Sequence, residues 1–172
     1  VGELSCRIAN GLLAHRLPKQ TKGAVWATND VAAWTCTLGL WRANMCWIPI
    51  GARNPAEENQ YVLDAFDCEV LFFQKDFAPV IAAMPPRLPK IRLWICVDGA
   101  APEVAGARSL TSWVADQPST RPVVAADMDD FLSKPVNKAG LLKRVDNMLK
   151  LHHVTDEVER LRQYIERMES RS

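Results

Sequence analysis

The sequence predicts a three-layer α/β domain built on a parallel sheet of about five strands. Two observations carry that prediction. Short apolar runs at residues 23–28, 45–50, 69–73 and 91–97 alternate with segments of helical character. Each run is largely unbroken by polar residues, as in a strand covered by helices on both faces. With 172 residues, 48% of them hydrophobic, the chain is long enough to bury such a core.

Residues 3–16 place Leu4, Ile8, Leu12 and His15 on one helical face, and Pro18 stops that helix. Residues 23–28 form the first strand, after which Thr28, Asn29 and Asp30 supply a turn and a helix N-cap. A mostly apolar helix follows over 31–43, then a strand over 45–50 ended by Pro49 and Gly51. Asn54, Pro55 and Glu57 offer an N-cap, a proline at the first helical position and an acid in the first turn, so 55–66 is a helix. Residues 69–73 are a strand, 77–84 a short helix ended by Pro85 and Pro86, and 91–97 a fourth strand. A longer connection over 98–120 holds a short helix around 110–115, and residues 131–134 give the fifth strand, ended by Pro135. From Asn137 or Lys138 a helix runs nearly to the C-terminus. Right-handed crossovers suit the strand order 2-1-3-4-5, a flavodoxin-like sheet. The α/β domain thus covers 1–151, and 152–172 form a helical tail.

Lys and Arg number 21 against 20 Asp and Glu, a net charge of +1, which argues against nucleic acid as the main partner. Apolar runs such as 31–40 are too short or too interrupted to cross a bilayer, and the N-terminus lacks the pattern of a secretory leader. The five cysteines include no Cys-x-x-Cys pair. They read as small buried hydrophobes in a reduced, cytoplasmic protein, with neither a disulfide framework nor a zinc site. No cofactor and no metal site is expected. His152 and His153 lack an acid or cysteine at helical spacing, and so read as solvated or seam positions. Trp26, Trp34, Trp41, Trp47, Trp94 and Trp113 fall on apolar strands and helices and read as core.

Two resemblances meet in this chain. Over residues 3–130 it resembles the start of an AMP-forming acyl-CoA synthetase of the adenylate-forming superfamily. The matching segments are Arg7–Leu13, Val25–Asp30 and Leu38–Asn44, then Trp47–Ile50 with Asn54-Pro55, and Cys68–Phe73. Over residues 130–151 it is similar to the end of a response-regulator receiver domain, through Asp130–Val136 with its Lys-Pro turn and the helix carrying Leu141–Val145. The junction has the character of a fusion, natural or engineered.

The synthetase resemblance implies a Ser/Thr/Gly-rich phosphate loop after a segment like 127–130, whose backbone amides would cradle ATP. Phe131-Leu132-Ser133-Lys134-Pro135 stands there without a glycine, so acyl-adenylate formation by this chain is not expected. The receiver resemblance implies an acidic pair for Mg²⁺, an acceptor Asp, a Ser or Thr and a Lys. Lys134 fits, and Asp30 lies near the first strand's end without a second acid beside it. Asp76 falls too late after the third strand, so no phosphoryl uptake is expected. Asp30 and Lys134 are therefore candidate binding residues at the open end of the sheet, and no catalytic residue is assigned.

In the tail, Val154, Val158, Leu161, Ile165 and Met168 repeat at intervals of three and four, the seam of a short parallel coiled coil. The sequence reading is a non-catalytic signalling or assembly module that dimerises through this helix. Its alternative is a truncated acyl-CoA synthetase subdomain, inactive alone.

Overall fold

The described part of the protein, residues 1–17 and 20–124 of a computed structural model, is organised around a strand buried on both faces. That strand is β3 (Cys68–Phe73); it follows β1 (Lys22–Trp26) and β2 (Cys46–Ile48) and precedes β4 (Leu93–Cys96) and β5 (Arg108–Ser109). The spatial order is β2-β1-β3-β4-β5, and all neighbours run parallel. Parallel neighbours need a crossover rather than a tight turn. Helix α2 (Val31–Arg42) joins β1 to β2, and α3 (Ala56–Ala65) joins β2 to β3. Between β3 and β4 lie α4 (Ala78–Ile81) and 3-10 turns at Lys75–Phe77 and Pro85–Arg87. Helix α1 (Gly2–Ala14) precedes the sheet, and α5 (Leu110–Trp113) follows it.

The strand order is the expected one, but the fifth strand is a different segment. Arg108 and Ser109 pair with Ile95 and Cys96 from within the connection read as loop and short helix. Two polar residues offer no apolar run, so sequence periodicity does not mark them. Residues 131–134, expected in that place, lie outside the described residues. So do Lys134, the helix from residue 137, His152 and His153, and the seam of Val154, Val158, Leu161, Ile165 and Met168.

Alternation along β3 divides the core into two layers. Val70 and Phe72 face α1, α2 and α5, where they meet Ile8, Leu12, Leu40 and Trp113. Leu71 and Phe73 face α3 and α4, where they meet Leu63, Ile81, Trp26 and Trp94. Helices α1 and α2 pack closely at Gly39, where a Cβ would stand 2.3 Å from Ile8 Cγ2. Helix α2 ends with Asn44 in the left-handed conformation (φ 58°). The Met45 N–H then donates to the Leu40 carbonyl and the Asn44 N–H to the Trp41 carbonyl, which satisfies the last turn.

Not every tryptophan and cysteine is interior. Trp26, Trp94 and Trp113 are buried, but Trp34 and Trp41 are exposed on α2. Cys6, Cys36, Cys68 and Cys96 are buried free thiols, whereas Cys46 is exposed on the edge strand β2.

The polar face of α1 holds the chain beyond α5. Arg7 Nη1 donates to the carbonyls of Ala115 and Gln117. Asn10 Nδ2 donates to those of Pro118 (2.8 Å) and Thr120 (2.9 Å). At the end of α1, His15 Nε2 accepts from the Trp113 indole N–H at 3.2 Å, and the two rings stack. Burial, then Arg108 and Arg92, hold the His15 pKa below the ordinary 6.5. A histidine with a depressed folded-state pKa binds fewer protons folded than unfolded just below pH 6.5. Its stabilisation is therefore present above that pH and lost as pH falls through it. The urea midpoint is expected to drop between pH 7.5 and 5.5, and to drop less in His15→Gln, which keeps an acceptor without titrating. Equal drops in the two proteins would remove His15 as the source.

Candidate functional site

In an open parallel sheet, ligands gather beyond the carboxyl ends of the strands, where successive connections leave on opposite faces. Here that point lies between β1 and β3. Helix α2 packs in the layer of α1, while α3 and α4 pack in the other.

The rim at this end is knitted together by side chains. The Thr28 N–H and hydroxyl both donate to Gln74 Oε1, at 2.8 and 2.9 Å. The Gln74 N–H donates to the Trp26 carbonyl at 3.1 Å. One strand further, the Lys75 N–H donates to Asp98 Oδ1 at 2.7 Å. Burial pushes the Cys96 thiol up to about 11, so it stays protonated and donates to the same oxygen at 3.3 Å. Burial also pushes Cys68 up to about 12 and raises Cys36 further. None of these three thiols supplies a nucleophilic thiolate near neutral pH.

An open depression of about 710 Å³ lies between the loops after β1 and β2, lined by Thr28, Asn29, Ile50, Gly51, Arg53 and Asn54, among others. Its floor is fixed by short-range bonds. Asn54 folds over Gly51, where a Cβ would stand 2.4 Å from Asn54 Oδ1. Asn54 Nδ2 donates to Glu58 Oε1 at 3.1 Å. Buried Asn59 donates through Nδ2 to the Gly51 carbonyl at 2.8 Å, while its Oδ1 meets no donor among the described residues. The depression thus offers one arginine, hydroxyl and amide groups, and a tight backbone turn. That chemistry suits contact with a polar or anionic group rather than proton transfer.

Asp30 stands at this rim as the N-cap of α2. Its Oδ1 accepts from the N–H groups of Ala32 (2.7 Å) and Ala33 (3.3 Å). Asp76 is exposed in the 3-10 turn after β3. Among the described residues no group of three or more His, Cys, Asp or Glu is placed to hold a metal ion. Among them too, no helix is long and apolar enough to cross a membrane. Sequence reasoning missed Gln74, Asp98 and Asn59. For Gln74 and Asp98 a usable signal exists, since each is the first polar residue after a buried apolar strand.

A two-layered core around an all-parallel sheet, with its loops knitted at the carboxyl rim, defines a three-layer α/β domain. The chain belongs to the family of AMP-binding enzymes, whose model matches residues 1–134. That match takes in residues 131–134, the stretch that by sequence resembles the closing strand of a receiver.

Solved structures share the fold. An anthranilate CoA ligase in complex with anthranoyl-AMP matches with a TM-score of 0.63 and 18% identity, over 69% of this chain and 23% of that one. A long-chain-fatty-acid-CoA ligase from Archaeoglobus fulgidus gives a TM-score of 0.62 and 16% identity, over 71% and 23%. A fatty acyl CoA synthetase from Mycobacterium tuberculosis gives 0.60 and 21%, over 74% and 24%. The chain therefore spans about a quarter of the length of these relatives. No curated protein matches the sequence.

Proposed function

We propose that this chain is the leading scaffold portion of an acid–thiol ligase of the adenylate-forming kind and makes no acyl-adenylate by itself. The observation that carries this reading is the family match over residues 1–134, most of the chain and the whole described sheet. The rim supports the scaffold role, because Thr28, Gln74, Lys75 and Asp98 are engaged with one another and its buried thiol, Cys96, is protonated. The glycine-free stretch Phe131–Pro135 supports the inactivity, since a phosphate cradle needs backbone amides free to approach the anion. The names of two similar structures, an anthranilate CoA ligase and a long-chain-fatty-acid-CoA ligase, support an aromatic or long-chain carboxylic acid as the acyl class of the parent reaction. The signalling reading rests on residues 130–172, and no described contact favours it.

Pyrophosphate exchange into ATP tests the proposal directly. With anthranilate or a long-chain fatty acid and Mg²⁺, exchange is expected to stay at the level of a protein-free control. Exchange that depends on the added acid would show adenylation and overturn the reading of an inactive scaffold.

A further inference from the structure

We infer that the outward face of α2 is a contact surface for a second copy of this chain, joined antiparallel about a two-fold axis. Helix α2 buries Cys36 and Leu40 against the sheet layer, yet its opposite side is also apolar. Val31, Trp34, Leu38 and Trp41 recur there at i, i+3, i+7 and i+10. Val31 is 68% exposed, Trp34 51% and Trp41 46%. A helix apolar on every side is normally covered on every side. Trp34 and Trp41 meet edge to face at 5.6 Å, and Trp41 meets Trp47 of the edge strand at 6.0 Å. These contacts form one continuous aromatic surface rather than scattered side chains.

The stripe matches itself when reversed. Turned antiparallel about the level of residue 36, Val31 comes opposite the partner's Trp41 and Trp34 opposite the partner's Leu38. The same register brings Asp30 to the end of the seam occupied by the partner's Arg42. An open hollow of about 450 Å³ lies at that end of α2, walled by Trp41, Arg42, Arg121, Pro122, Val123 and Val124. Its apolar walls suit the partner's Val31, and its two arginines suit the partner's Asp30. Opposed helix dipoles favour the same arrangement. Two half-exposed tryptophans and two aliphatic side chains cover roughly 400–500 Å² per copy, short of the ~800 Å² per partner of a stable complex. The pairing is therefore concentration-dependent, with a Kd on the order of 10–100 μM.

Sedimentation equilibrium of the full chain from about 5 to 500 μM tests this, an interval set to bracket that Kd. A monomer–dimer equilibrium is expected, with tryptophan emission shifting to the blue as the dimer forms. Trp41→Glu and Trp34→Lys alter exposed positions, and each is expected to weaken association at least tenfold with the circular dichroism spectrum retained. Asp30→Asn keeps a competent N-cap and is expected to weaken it about threefold. A chain that stays monomeric throughout overturns the inference. So does a dimer that survives both tryptophan variants and is lost on Ile165→Glu, which would place the contact in the tail seam.

Discussion

Phe72→Ala is expected to lower the free energy of unfolding by about 3–5 kcal/mol, the largest effect of any single truncation in the sheet. Phe72 is fully buried on β3, the strand flanked on both sides and covered on both faces. Its ring meets Trp113 edge to face at 6.1 Å, so removing it takes away an aromatic contact as well as apolar area. The sheet around it is tied by strand pairing, and cannot collapse into the space. A domain of this size has about 5–15 kcal/mol in hand, so the loss takes a large fraction of it and is expected to lower the urea midpoint markedly. Tyr61→Ala, at an exposed position on α3, is the control and should change stability by no more than about 0.5 kcal/mol. Urea denaturation of both variants gives the comparison; a Phe72→Ala loss below about 1 kcal/mol would mean that β3 is not the centre of the core.

Gly39→Val is expected to prevent folding. The Cβ alone would stand 2.3 Å from Ile8 Cγ2 and 2.7 Å from Ile8 Cβ. The nearer atom ends a side-chain branch, but the second is fixed to the α1 backbone, so rotamer change cannot relieve the clash. Valine adds two methyl groups to that collision. Gly39→Ala is the milder form. Overpacking costs about 1–3 kcal/mol, offset in part by the ~1 kcal/mol of helix propensity that alanine gains over glycine. Ile8→Ala removes Cγ2, the nearer of the two atoms, and leaves only the Cβ contact, so the double variant Ile8→Ala/Gly39→Ala should be more stable than the sum of the singles by about 1 kcal/mol. A double-mutant cycle in urea measures this coupling. Strict additivity would show that the two helices do not meet at this point.

How far these features were legible depends on the range of the interaction involved. The first four strands were legible because burial on both faces forces an unbroken apolar run. The N-cap role of Asp30 was legible because it is a local bond two and three residues long. β5 was not, since Arg108 and Ser109 join the sheet through backbone pairing to β4 and not through side-chain character. Trp34 and Trp41 were misplaced for a different reason. With α2 apolar on both sides, hydrophobic period cannot tell the face on the sheet from the face in water. Cys46 shares that cause, because apolar neighbours surround it in sequence while an open sheet edge surrounds it in space. The rim contacts lie furthest from sequence reading. Gln74 reaches back 46 residues to Thr28, and Asp98 reaches back 23 to Lys75, partnerships that only the sheet order creates.

The hold of α1 on residues 115–120 has a consequence for synthesis on the ribosome. Arg7 and Asn10 find their carbonyl partners 108–110 residues later in the chain. At translation speeds of about 5–20 residues per second, that delay is roughly 5–20 s. Through that interval α1 can already lie against α2, whose Gly39 arrives about 30 residues behind Ile8, but its polar flank has nothing to grip. The nascent domain therefore closes in two stages. A local helix pair assembles over the first strands, and the N-terminal helix is latched only when the segment after α5 emerges. Until then the side of β3 and β4 that α5 will cover stays open to chaperones, and a pause in translation before residue 115 would leave it so.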